Sequence, residues 1–187
     1  MMIQTAPPGE KRFISTMLEH LDLCHQFILA FGNSEFEKPE PYDEFIYTVK
    51  NHDRGWDDFD KNPILDENSG FPCGLGSGPV PNVVHTSKLS PNFNENKHAY
   101  CGLLSSMHSW GLYNERYGFS QFRVLDGGKS VPVPAGEEDT VKGLLDGELD
   151  RQVRLKETLS LNPETCLLYT SDAADDTPCV DLGGRRI

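Results

Sequence analysis

Apolar residues along this chain recur mainly at steps of three and four, the spacing of an amphipathic helix. Met17, Leu18, Leu21, Ile28 and Leu29 make one such stripe, and His20, Cys24, Phe27 and Phe31 make an adjoining one. Thr16-Met-Leu-Glu19 has the form of a capping box, and Gly32-Asn33 supplies residues suited to a left-handed stop, so the first helix is predicted over 17–31. Past Pro39-Glu40-Pro41, Tyr42, Phe45, Ile46 and Val49 continue at helical spacing toward His52 and Asp53, and Gly55 ends that helix. Ala99, Tyr100, Leu103, Leu104 and Met107 predict a third helix, which ends by delivering His108 just ahead of Ser109-Trp110-Gly111-Leu112-Tyr113. A fourth, over about 137–159, places Val141, Leu144, Leu145, Leu149 and Val153 on one face, with Glu137, Glu138 and Asp139 at its positive end. Gly143 and Gly147 weaken that helix. Between the second and third helices, residues 57–94 are rich in Gly, Pro, Asn and Asp. They read as a long surface loop, with a short helix near 83–89. The fold class is therefore expected to be all-α, a helical bundle interrupted by a long Gly/Pro-rich loop.

Charge narrows the partners. The 187 residues carry a formal net charge of −12 and 37% hydrophobic residues, enough for one domain with a real core. An acidic chain is poorly suited to phosphate backbones, so nucleic acid is not expected as a partner. No run approaches the roughly 18 apolar residues of a membrane span, and the N-terminus lacks the apolar core of a signal peptide. A cytoplasmic location is expected by default. Cys24, Cys73 and Cys101 show no C-x-x-C pairing, so reduced thiols are expected.

The end of the chain departs from this pattern. Residues 166–175, Cys-Leu-Leu-Tyr-Thr-Ser-Asp-Ala-Ala-Asp, resemble the translation of a transposase-type sequencing adapter, and residues 179–187 resemble its outer half. They have no helical or strand period and no caps. The expected organisation is thus a flexible stretch 1–12, one helical domain over 13–165 cut short near Thr165, and a non-native tail 166–187.

Candidate chemistry gathers on a few residues. Asp58-x-Asp60-x-Asn62 begins like a calcium loop, but Pro63 stands where the glycine turn is required and Ser69 where a bidentate Glu belongs. Glycines 74, 76 and 78 are followed by Pro79 and by no Gly-Lys-Ser/Thr, so they make no phosphate cradle. The pair His52-Asp53 is different, because an imidazole and a carboxylate at one helix end can hold a divalent ion from a single segment. Such dipeptides also recur by chance. What gives this one weight is that His20 and His108 each sit on an otherwise apolar helical face, where an imidazole must be bonded or ligating. His25 and His98 are read as ordinary surface residues. Trp56, Trp110 and Tyr113 flank these motifs and can wall a pocket or simply pack the core.

Glu19-His20, His52-Asp53-Arg-Gly55-Trp56 and Leu104-Ser-Ser-Met-His108-Ser-Trp-Gly111-Leu112-Tyr113, in this order, resemble an uncharacterised bacterial family, domain of unknown function 3891. The likeness spans about 16–117. The order of motifs also resembles the HD superfamily of helical metal phosphohydrolases. That second resemblance implies His20, His52 and Asp53 as ligands of a divalent metal (Mn, Fe, Zn or Mg), a water activated for attack on a phosphate ester, and a small-molecule substrate. His85 is a further candidate ligand, and His108 together with Asp53 a candidate for the acid/base work. A later Asp of the HD pattern has no match in this sequence. The alternative is a non-catalytic helical ligand-binding or regulatory domain in which the same histidines satisfy buried hydrogen bonds.

Overall fold

The computed structural model describes residues 2–3, 7, 9–75, 77–114, 123–126 and 129–160, and the predicted tail 166–187 lies outside them. The fold is helical: α1 (Met17–Ala30), α2 (Tyr42–Asn51), a 3-10 turn at Arg54–Trp56, α3 (Asp57–Lys61), α4 (Val80–Glu95), α5 (Ala99–Tyr113) and α6 (Glu138–Thr158). Two short antiparallel ribbons accompany them. β1 (Met2–Ile3) pairs with β2 (Ile14–Ser15), and β3 (Arg123–Asp126) pairs with β4 (Lys129–Pro132). The first ribbon ties part of the stretch 1–12 to the start of α1.

α1 begins where the capping box puts it: the Thr16 hydroxyl accepts from the Glu19 amide and the Glu19 carboxylate accepts from the Thr16 amide. It ends at Ala30 with Phe31 as an extended cap, and Gly32 follows with a φ of +102° that only glycine adopts without strain. Its buried side chains are Met17, Leu21, Cys24 and Ile28. Phe27 and Leu29, expected on the apolar stripes, are exposed.

α5 is the central element, packed against α2, α4 and α6. Cys24, Ile28, Phe45, Val49, Tyr100 and Leu104 form a core where α1, α2 and α5 meet. Val84, Tyr113, Val141, Leu144 and Leu145 form a second between α4, α5 and α6. Met17, Trp56, Phe59 and Cys73 form a third around the 3-10 turn. The α5 helix also runs further than predicted, to Tyr113, so His108 sits inside it and not at its end. Gly102 allows the close packing of α4 and α5, since a Cβ there would lie 2.7 Å from Glu95 Cβ.

The predicted loop 57–94 is the main correction. The short helix expected near 83–89 is there but runs through 16 residues as α4, with Pro81 in the first turn and Pro91 inside. No apolar stripe announced it, because the buried face is made of Val84, Thr86, Ser87, Ser90, Pro91 and Asn94. These polar side chains bond back onto their own helix: Thr86 and Ser87 to the Val83 carbonyl, Ser90 to that of Thr86 and Asn94 to that of Ser90. Pro91 has no N–H to give the Ser87 carbonyl, and Ser109 Oγ of α5 donates to that carbonyl at 2.9 Å instead.

The face of α6 also differs from the expected one. Val141, Leu144, Leu145, Glu148, Gln152 and Leu155 are buried, whereas Leu149 and Val153 are 43% and 57% exposed. Glu148 tolerates burial because Arg151, three residues on, pairs with it at 2.9 Å and also with Glu95 of α4. Arg154 closes the group on Glu95 at 2.8 Å.

Candidate metal centre

Three helices and one turn converge on the Asp53 carboxylate. His20 comes from the first turns of α1, His52 from the C-cap of α2, Asp53 from the residue after it, and His108 from the middle of α5. His52 Nε2 lies 3.4 Å from Asp53 Oδ2, His20 Nε2 lies 4.0 Å from the same oxygen, and His108 Nε2 lies 3.9 Å from Oδ1. The His52 ring stands edge-on between the other two, with centroids 5.4 Å from His20 and 4.9 Å from His108.

The helix-ending turn is held in place by α4. Gly55 N–H donates to Ser90 Oγ at 2.9 Å, and a Cβ on Gly55 would stand 2.1 Å from the Thr86 carbonyl oxygen, so only glycine fits. Asn94, fully buried, donates to the Asn51 carbonyl at 2.9 Å and reaches Ser105 of α5 at 3.2 Å, fixing the last turn of α2 just before His52. Asp60 of α3 accepts from the Met17 amide and anchors the start of α1. Sequence reading took Gly55 only as a helix end and Asp60 only as a rejected calcium-loop residue, and it passed over Asn94 and Ser90, because a buried Asn or Ser leaves no periodic signal.

The electrostatics fit a cation. His52 Nδ1 lies 2.7 Å from the Val49 carbonyl, which can only accept, so Nδ1 carries a proton. Nε2 faces a carboxylate oxygen, an arrangement completed by a proton or by a metal ion between them. His108 Nε2 is buried with no hydrogen-bond partner. Burial pushes the His108 imidazole down to about 4, the neighbouring His52 and His20 reinforce the fall, and Asp53 opposes it. His20 is lowered in the same way, by burial first and His52 second, against Asp53.

The His52–Asp53 distance also fits. Bonds of about 2.0–2.1 Å put two ligand atoms of one ion roughly 3.0 Å apart at an octahedral edge and 3.4 Å at a tetrahedral one. His52 and Asp53 are at the second spacing, and the donor atoms of His52, Asp53 and His108 all lie within 4.8 Å of one another. A second group of the same span consists of His20, Cys24 and His52.

The remaining candidates, His85, Trp56, Trp110 and Tyr113, belong to neither ligand group. His85 is exposed on α4 and joins neither group. Trp56 packs edge-to-face on Phe59 in the third core, and Trp110 packs on the α4–α5–α6 core. Tyr113 is buried with its hydroxyl 3.0 Å from Ser87 Oγ, and burial, reinforced by the Asp53 charge, pushes its phenol well above the usual range. His98, assigned no role, caps α5 by accepting from the Tyr100 amide at 3.2 Å.

A family model described as "Protein of unknown function (DUF3891)" matches residues 2–171. The chain belongs to the DUF3891 family. Membership takes in nearly all of the stretch 1–12 and the first residues of the predicted tail. No curated protein and no solved structure matches this DUF3891 chain. None of its described helices is long and apolar enough to cross a membrane.

Proposed function

We propose that this DUF3891 protein is a metal-dependent hydrolase acting on a small-molecule phosphate ester, with His20, His52, Asp53 and His108 as its centre. The observation that carries the reading is the meeting of three imidazoles from three helices at one carboxylate, with His108 Nε2 buried and without a hydrogen bond. Imidazole nitrogens with one carboxylate suit iron, zinc or manganese better than magnesium, which prefers oxygen ligands. When bound, such an ion supplies Lewis acidity and lowers the pKa of a water.

The chain's own residues do the rest. His52, its tautomer fixed by Val49, presents Nε2 as a ligand, and Asp53 provides the negative charge that neutralises the ion. His108 stays neutral at pH 7 because of burial, so its lone pair is available to ligate or to accept a proton. Preference for a phosphate ester rests on the resemblance of the His20, His52-Asp53 order to HD hydrolases.

Hydrolysis of a panel of phosphate monoesters and nucleotides by the metal-reconstituted chain tests this. Turnover restored by Mn or Fe, and lost at least a hundredfold in His108→Gln and Asp53→Asn that still fold, is expected. No metal-dependent turnover on any member would contradict the hydrolase reading. The alternative of a non-catalytic domain with structural histidines is favoured by one observation, the bond that satisfies His52 Nδ1 within its own helix. Under it, metal leaves the melting temperature unchanged.

A further inference from the structure

Building on the metal-binding reading above, we propose that the centre holds two alternative ligand sets sharing His52: a carboxylate set of His52, Asp53 and His108, and a thiolate set of His20, Cys24 and His52 that seats thiophilic ions such as zinc or cobalt.

Cys24 follows His20 by one helical turn on α1, and its Sγ lies 3.5 Å from His20 Nε2. Nitrogen and sulfur bound to one tetrahedral ion stand about 3.6 Å apart, given bonds of roughly 2.0–2.1 and 2.3 Å. The His52 ring meets His20 edge-on, and donor atoms of the three residues lie within 4.8 Å of one another. The sets are alternatives because His52 Nδ1 is committed to the Val49 carbonyl and only Nε2 is left to ligate. One imidazole nitrogen binds one ion.

Binding at the thiolate set breaks the Cys24 S–H bond as the sulfur–metal bond forms, and the proton leaves to solvent without electron transfer. Thiolate favours zinc and cobalt over manganese and magnesium. An ion held by His20, Cys24 and His52 therefore takes His52 away from Asp53 and His108. Zinc held there becomes an antagonist of iron or manganese at the carboxylate set.

Cobalt(II) added to the chelator-stripped full chain tests both levels. A sulfur-to-cobalt charge-transfer band in the near ultraviolet is expected alongside visible d–d bands. Cys24→Ala should lose the charge-transfer band and keep d–d bands, Asp53→Asn should keep the charge-transfer band, and Cys73→Ala should match the wild type. Wild-type d–d bands without charge transfer, or a charge-transfer band that survives Cys24→Ala, would overturn the thiolate set and leave the carboxylate set standing. Loss of the charge-transfer band in Asp53→Asn would show sulfur and carboxylate on one ion and overturn the alternation. Absence of any cobalt absorbance would remove the metal reading itself.

Discussion

At the scale of single residues, the centre is made costly by burial. His108 takes up a proton near 6.5 in the unfolded chain but only near 4 when folded, so the unfolded state binds more protons between those values. Stability therefore falls as pH drops through that window, by roughly 3 kcal/mol in all. Denaturant titrations of the metal-free chain at pH 7 and pH 4.5 should show this slope, and His108→Gln should flatten it. Gly55 works in the opposite sense, by absence of a side chain. Gly55→Ala drives a methyl to 2.1 Å from the Thr86 carbonyl oxygen and is expected to cost roughly 2–4 kcal/mol, read as a fall in melting temperature of about 10 °C.

At the scale of elements, legibility followed the nature of each buried face. α1 was readable because capping box and apolar steps agree and α2 because its apolar steps do, although α2 stops at Asn51 and the expected glycine stop, Gly55, lies in the 3-10 turn beyond; the same steps carried His20, His52 and Asp53 to one place. α4 was readable only as a short helix near 83–89, because hydroxyls, an amide and a proline fill its inner face, each satisfied by a neighbour that sequence does not reveal. On α6 Val141, Leu144 and Leu145 were placed correctly, but Leu149 and Val153 were added to the buried face because they outrank Glu148 and Gln152 in hydrophobicity, while the salt bridges that make Glu148 acceptable come from elsewhere in the fold. Cys24 was visible only as part of a helical stripe, and its nearness to His52 needed the packing of α1 on α2. The α4–α5 contact can be tested directly. Ser109→Ala leaves the Ser87 carbonyl buried without its donor, since Pro91 cannot replace it, and a loss of about 1–3 kcal/mol in chemical denaturation is expected.

At the scale of the whole molecule, α6 is locked to α4 by the Glu148, Arg151, Glu95 and Arg154 group, and α4 in turn supports the turn that bears Asp53. Burial pushes the Glu148 carboxyl up, against the pull of the Ser106 and Arg151 partners. Removing Arg151 strands that carboxylate. Arg151→Met is expected to cost about 3 kcal/mol, with the loss larger at pH 8 than at pH 5, because a raised carboxyl group loses stability as pH climbs through its folded pKa. The central claim, however, is that His52, Asp53 and His108, with His20 packed against them, form a metal centre in this DUF3891 fold. Calorimetric titration of the chelator-stripped chain with manganese tests it most directly. One ion per chain is predicted, bound at least tenfold more weakly by Asp53→Ala and His108→Ala and with unchanged affinity by His85→Ala; no binding heat, or equal weakening by His85→Ala, would contradict it.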